Sequence, residues 1–113
     1  MPNAVAHRAE RRQRGRLAEQ QRYEEQQRRK LDRNRWRRVV EIADEWREAK
    51  LAREFVAALR EAGPDLDQSV GDRTVGDWLA WAEDRATALD PLARGAASTF
   101  ERVASVTNWE YKD

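Results

Sequence analysis

The feature of the sequence that most constrains the fold is residues 35–62, RWRRVVEIADEWREAKLAREFVAALREA. Their apolar side chains recur every three or four residues from Trp36 to Ala62. Because an α-helix has about 3.6 residues per turn, this spacing predicts one long amphipathic helix with a single buried stripe. Residues 8–34 contain no proline and are rich in Arg, Glu and Gln, so we expect the same helix to extend back through them.

Charge divides the sequence into two segments with different properties. Residues 1–38 carry thirteen Arg or Lys against five Asp or Glu, whereas residues 39–113 carry nine against sixteen. The net charges of these segments are +8 and −7, so the overall charge of +1 conceals a strong asymmetry. This asymmetry predicts a basic arm and an acidic helical body that make different contacts.

The residues that follow the long helix carry a stop signal. Gly63 favours the left-handed conformation at a helix C-terminus, and Pro64 cannot continue the helix. We expect residues 65–73, DLDQSVGDR, to form a polar loop.

Two shorter helices are predicted after this loop. Thr74 is a good N-cap residue, and Asp77 occupies the position of the acid in a capping box, so a helix is expected over residues 74–89. Its apolar residues again recur every three or four positions. Pro91 suits the first position of a helix, and a third helix is expected over residues 91–106.

Together these elements predict an all-α fold in which a long basic N-terminal helix continues into a small helical hairpin or three-helix body. We divide the chain into a basic helical arm (1–35), a hairpin body (36–92), and a third helix with a C-terminal tail (93–113). Large apolar residues in the middle of the stripes are expected to form the core. The predicted core residues are Trp46, Phe55, Leu59, Trp78, Trp81 and Leu89.

Five tryptophans are many for a chain of 113 residues. One interpretation is that all of them build the core, since each indole buries about 150–250 Å². The other is that a small hairpin cannot enclose five indoles, so that one or two project as anchors for a partner. The candidates for partner binding are Trp36, where the arm meets the body, and Trp109 and Tyr111 in the tail.

Three stretches of the body form a distinctive pattern. They are Trp46, then AREFVAALRE at 52–61, then DWLAWAEDRATALDPL at 77–92. Residues 36–92 thereby resemble a C-terminal helical module of larger uncharacterised bacterial proteins, in which a helix similar to IRAFVAALR precedes a WLAWA helix that ends in ADRLDPL. The resemblance implies a helical fold for this segment and no particular activity. Those proteins often carry an N-terminal helix-turn-helix-like domain, which is absent here, and tend to end near the Asp-Pro-Leu.

The sequence offers little for catalysis or metal binding. It has no cysteine, which excludes disulfides and thiolate metal sites, and no motif places a partner beside the single histidine, His7. It contains neither a phosphate-binding glycine loop nor a nucleophile elbow. The acidic residues lack the ligand spacing of a calcium site, so we interpret them as a solvated surface. We therefore expect no enzymatic activity, no cofactor and no metal.

The basic arm admits two interpretations. Arginine pairs well with phosphates, and an arginine-rich helix suits a groove of DNA or RNA. Glutamates and glutamines are interleaved with these arginines, however, and a solvated charged helix or a coiled-coil strand would have the same composition. The candidate nucleic-acid-binding residues are Arg8, Arg11, Arg12, Arg14, Arg16, Arg28, Arg29, Arg33 and Arg37.

The sequence as a whole favours a non-enzymatic helical protein-interaction module, a small subunit or adaptor of a larger bacterial assembly. Its expected partner is another protein or a second copy of the chain, and we infer no small-molecule substrate. The alternative is a nucleic-acid-binding protein that uses the arm on phosphates. No run of about 18 apolar residues occurs and no apolar segment precedes a cleavage site at the N-terminus, so we expect a cytoplasmic protein that does not enter a membrane.

Overall fold

The computed structural model describes the backbone of residues 3–112 and the side chains of residues 6–112. The predicted all-α class, with a long first helix followed by short helices, is confirmed. Within residues 3–112, no helix combines the length and the apolar character needed to cross a membrane. The elements in chain order are α1 (Asn3–Glu61), β1 (Ser69–Val70), β2 (Arg73–Thr74), α2 (Val75–Leu89), a 3-10 turn (Pro91–Arg94) and α3 (Gly95–Ala104).

Helix α1 forms and ends for the reasons that its sequence predicts. Ion pairs four residues apart lie along its exposed surface, such as Arg29 Nη2 to Glu25 Oε1 at 2.5 Å, and such pairs favour helix modestly. The helix ends at Glu61, and Gly63 adopts the left-handed conformation with a φ of 69°. The Gly63 N–H donates to the Arg60 carbonyl, so the predicted stop signal operates.

The predicted polar loop contains a small β-hairpin. Strands β1 and β2 pair antiparallel, with Ser69 opposite Thr74 and Val70 opposite Arg73. The connection has Gly71 in its first position with a φ of 65°, which a two-residue hairpin turn of this kind requires. Two-residue strands are too short to show an alternating pattern, so the sequence predicted only a loop here.

Helix α2 begins as predicted and the third helix does not. The Thr74 hydroxyl accepts a hydrogen bond from the Asp77 N–H at 3.2 Å, as an N-cap does. The segment expected to be one helix over residues 91–106 is divided into a 3-10 turn and α3. Gly95 separates them because its φ of 86° lies outside the right-handed helical region.

The chain forms two compact units. The first unit combines Met1–Trp36 with Val106–Asp113, and the second unit is Arg37–Ser105. The C-terminal tail therefore groups with the N-terminal segment, whereas we expected it to form one segment with the third helix, residues 93–113. Buried apolar residues of the second unit include Ile42, Ala49, Val56, Leu79 and Ala86.

The predicted core is wrong for most of its members. Trp46, Phe55, Leu59, Trp81 and Leu89 are all exposed, and Trp78 is only half-buried. The error arises from helix geometry, because apolar residues spaced three and four apart do not all share one face. Nine residues separate Trp46 from Phe55, which is about 2.5 turns, so these side chains point to opposite sides of α1.

A matched pair of substitutions in α2 tests this corrected core. Leu79→Ala removes a buried side chain, and we expect it to lower the free energy of unfolding by about 2–5 kcal/mol. Leu89→Ala is the same chemical change at an exposed position of the same helix, with an expected cost below about 1 kcal/mol. Urea unfolding followed by circular dichroism measures both values. Equal losses of unfolding free energy for the two variants would show that Leu89 belongs to the core.

Candidate interaction surface

An apolar groove lies in the second unit between α1 and α2, with a volume of about 380 Å³. Strand β1 contributes one residue to its wall. The groove is open to solvent and its lining carries no charged side chain, which is the composition of a docking site for another apolar surface. The lining residues are Ala52, Phe55, Val56, Leu59, Val70, Val75, Trp78, Leu79 and Ala82.

Trp78 is held in a fixed position in this groove. Its indole N–H donates to the Val70 carbonyl at 2.7 Å, which ties α2 to the hairpin. The Arg73 guanidinium lies 4.8 Å from the centroid of the Trp78 ring, and Trp81 meets that ring edge-on with centroids 5.7 Å apart. A polar anchor, a cation and a second ring thus fix the indole without burying it.

An apolar ridge runs along α1 beside the groove and consists of Leu51, Phe55 and Leu59. Leu51 is 66% exposed and Phe55 is 63% exposed, so this ridge presents a prominent apolar surface to solvent. A second cleft of about 440 Å³ lies further toward the N-terminus of α1 and is lined by Glu48, Leu51, Ala52 and Phe55. The ridge and the groove share Phe55 and Leu59 and form one continuous apolar surface.

Ion pairs position α2 and the 3-10 turn against α1. Arg53 of α1 pairs with the Asp90 carboxylate, which also accepts the Leu92 N–H at 2.9 Å. The Arg53 guanidinium, and secondly the Leu92 N–H, hold the pKa of Asp90 below its usual range. Nearer the end of α1, Arg60 pairs with Glu83 of α2.

A third ion pair joins α1 to α3. Both Arg102 amino groups donate to the Glu45 carboxylate, at 2.7 Å and 2.8 Å. Two parallel bonds of this kind fix orientation as well as distance. The hydrogen bonds from Arg102 hold the pKa of the Glu45 carboxyl below its usual value, against the opposing effect of partial burial.

The predicted partner-binding residues lie in the first unit. Trp36 and Trp109 are exposed, whereas Tyr111 is half-buried. Trp109 is nevertheless engaged within its unit, because the Lys30 ammonium lies 4.8 Å from the centroid of its ring.

A buried asparagine fixes the C-terminal tail. Asn34 is fully buried and its side-chain amide donates to the carbonyls of Thr107 and Asn108, at 3.1 Å and 3.2 Å. The Asn108 amide in turn donates to Gln27 Oε1 at 3.0 Å. Among the described side chains, Asn34 Oδ1 is a buried oxygen that accepts no hydrogen bond. No local sequence pattern predicts these contacts, which join residues more than seventy positions apart.

The nine candidate nucleic-acid-binding arginines all lie on α1 with exposed side chains. They do not form one stripe, because neighbours such as Arg11 and Arg12, or Arg28 and Arg29, point about 100° apart around the helix. A cleft of about 410 Å³ in the first unit is lined by Gln26, Gln27, Arg29, Lys30 and Arg33. Of these, Arg29 is already paired with Glu25.

Sequence reasoning missed several residues of the interaction surface. Leu51 could have been recognised, because it stands four residues before Phe55 and so continues the same row along the helix. Val70 lies in the loop expected over residues 65–73, and its place in the groove depends on the hairpin, which no local pattern predicts. The ion pair of Arg53 with Asp90 joins residues thirty-seven positions apart, and no local pattern predicts it.

The described side chains, residues 6–112, include no group of three or more His, Asp or Glu residues placed to hold a metal ion. In the comparisons with known proteins, no family model, curated protein or solved structure matches the chain. The resemblance of residues 36–92 to a bacterial C-terminal module therefore stays a prediction.

The Asp90 ion pair predicts a specific dependence of stability on pH. Because folding lowers the pKa of Asp90 from an ordinary value of 3.8, the pair stabilises the fold fully above that value and loses its effect as pH falls through the lowered pKa. Asp90→Asn should therefore lower the thermal midpoint at neutral pH and reduce the further loss in acid.

Thermal melting by circular dichroism between pH 7 and pH 2 measures this dependence. Asp84→Asn is the matched control, because Asp84 is an exposed carboxylate of α2, the helix that Asp90 caps. Parallel pH profiles for Asp90→Asn and the unchanged protein would show that the pair does not couple folding to protonation.

Proposed function

We propose that the protein is a non-enzymatic helical protein-interaction module, a small subunit or adaptor that docks through the body of its fold. The observation that carries this proposal is the continuous apolar surface formed by the ridge and the groove. Such a surface costs free energy while it faces water, and covering it with another protein recovers that free energy. A cytoplasmic location and membership of a larger bacterial assembly belong to the same proposal.

The small core of the second unit supports the proposal. Few of its described side chains are both apolar and buried, and two of these, Ala49 and Ala86, contribute little apolar area. A unit of this size has a marginal ratio of buried to exposed surface even with a well-filled core. The large side chains that would normally complete the core, such as Phe55 and Trp81, lie outside, where a partner can cover them.

Nucleic-acid binding is the second candidate function. It is supported by the exposed arginines of α1, which give the N-terminal segment a high positive charge. On this alternative, affinity for duplex DNA or RNA falls steeply with salt, by about 0.9 in log affinity per log salt for each phosphate contact. On the favoured proposal, binding is weak and disappears near physiological salt.

Site-specific photo-cross-linking in cells tests the favoured proposal. Replacing Phe55 with benzoylphenylalanine keeps an aromatic side chain on the ridge, and irradiation should give a discrete adduct with a protein. The matched control places the same residue at Ala57, an exposed position of α1 about 200° away around the helix, and should give none. Mass spectrometry identifies the adduct. Absence of any adduct at position 55, or equal adducts at both positions, would contradict the proposal.

A further inference from the structure

We infer that the partner on this surface is a second copy of the chain, which docks antiparallel with the two Phe55 side chains on a two-fold axis. The inference rests on the proposed function and adds the identity of the occupant. It would make the ridge an isologous interface, in which the same patch serves both protomers. Closed two-fold dimers of this kind are the commonest symmetric assemblies of soluble proteins.

The spacing of the ridge is self-complementary. Leu51 stands four residues before Phe55 and Leu59 stands four residues after it. When two copies of α1 cross antiparallel at Phe55, Leu51 of each copy therefore meets Leu59 of the other. All three ridge residues then find an apolar counterpart, and no ridge residue is left facing a charge.

The ridge also has the geometry of a common helix contact. Residues four apart form a row along the helix surface, and such rows interdigitate between helices at a crossing angle of about −50°. The row on one side of the ridge contains Glu48, Ala52 and Val56, and the row on the other side contains Glu54, Ala58 and Ala62. The small side chains of Ala52 and Ala58 flank Phe55 and leave room beside it for the Phe55 side chain of the second copy.

Charge favours the antiparallel orientation. In a parallel pair Glu48, which borders the ridge, would face Glu48 of the other copy, and like charges placed opposite each other are unfavourable. In the antiparallel pair it faces Ala62, which is uncharged. The end of the ridge that carries Glu48 thus lies against the end of the second copy's ridge that carries Ala62.

The exposed apolar side chains can supply much of the apolar area of a standard interface. A standard interface covers about 800 Å² on each partner, of which a little over half is apolar. Phe55 and Trp81 are 63% and 47% exposed, and with about 150–250 Å² for a whole aromatic side chain they offer roughly 170–270 Å² together. Leu51, Leu59 and Val70, each between 41% and 66% exposed, add to the same surface. Much of the apolar part of a standard interface is therefore available.

Cysteine cross-linking of the full chain tests the pairing directly, because the natural sequence has no cysteine. Mixing Leu51→Cys with Leu59→Cys under mild oxidation should give a disulfide-linked heterodimer in excess over either homodimer, and both variants retain Phe55. Ala57→Cys is the exposed control on the far side of α1 and should remain monomeric on a non-reducing gel. Homodimers of Leu51→Cys in excess, or no cross-link above the control, would overturn the antiparallel pairing.

Sedimentation equilibrium provides the second measurement. The unchanged chain should sediment as a reversible dimer, and Phe55→Glu should weaken dimerisation by at least about 30-fold, as for the loss of a central interface residue. Ala57→Glu should leave the dissociation constant unchanged. Circular dichroism checks that both variants remain helical. If Phe55→Glu loses its helical structure, the cysteine cross-linking decides whether the chain forms the antiparallel dimer.

The photo-cross-linking result separates this inference from the proposed function. An adduct at position 55 with the mass of two chains supports both. An adduct with a different protein, together with a monomeric chain, overturns the second-copy inference and leaves the proposed function standing. No adduct with any protein overturns both.

Discussion

The structure of the second unit depends on which face of α1 is turned inward. The inward face carries Ile42, Ala49 and Val56, which are buried. Arg53 and Arg60 point to the same side, within about 40° of Ile42 around the helix, and pair with groups on the elements that follow. Because a helix is a stiff rod with about 100° of rotation per residue, this choice fixes all the other faces. Leu51, nine residues after Ile42, is turned to the opposite side, and Phe55 is turned to solvent as well.

Ion pairs accompany apolar burial on this inward face. Partly exposed ion pairs contribute little to stability, typically up to about 1 kcal/mol each, but they specify which residues meet. Here Arg60–Glu83, Arg53–Asp90 and Arg102–Glu45 attach α2, the 3-10 turn and α3 to α1. A fold positioned by charge pairs can leave its large apolar side chains outside. The consequence is a surface that resembles half of a core, and this is the physical basis of the proposed interaction.

The sequence predicted local structure well and long-range packing poorly. The end of α1 at Gly63 and the Thr74 N-cap were predicted because each depends on a few adjacent residues. The core was largely wrong, since a spacing of three and four residues does not say which of several apolar faces turns inward. The β-hairpin was too short to leave a pattern, and the bonds of Asn34 to the distant tail leave no local signal. For the candidate site, the sequence favours Trp36, Trp109 and Tyr111 as partner anchors, whereas the continuous apolar surface lies around Phe55.

The central proposal is that a second copy of the chain covers the ridge and the groove. The most direct measurement is the thermal melting temperature of the full chain as a function of protein concentration, followed by circular dichroism. When folding is coupled to dimerisation, mass action raises the melting temperature as concentration increases. We expect a clear rise over a hundredfold range of concentration. A melting temperature that stays constant over that range would contradict the claim.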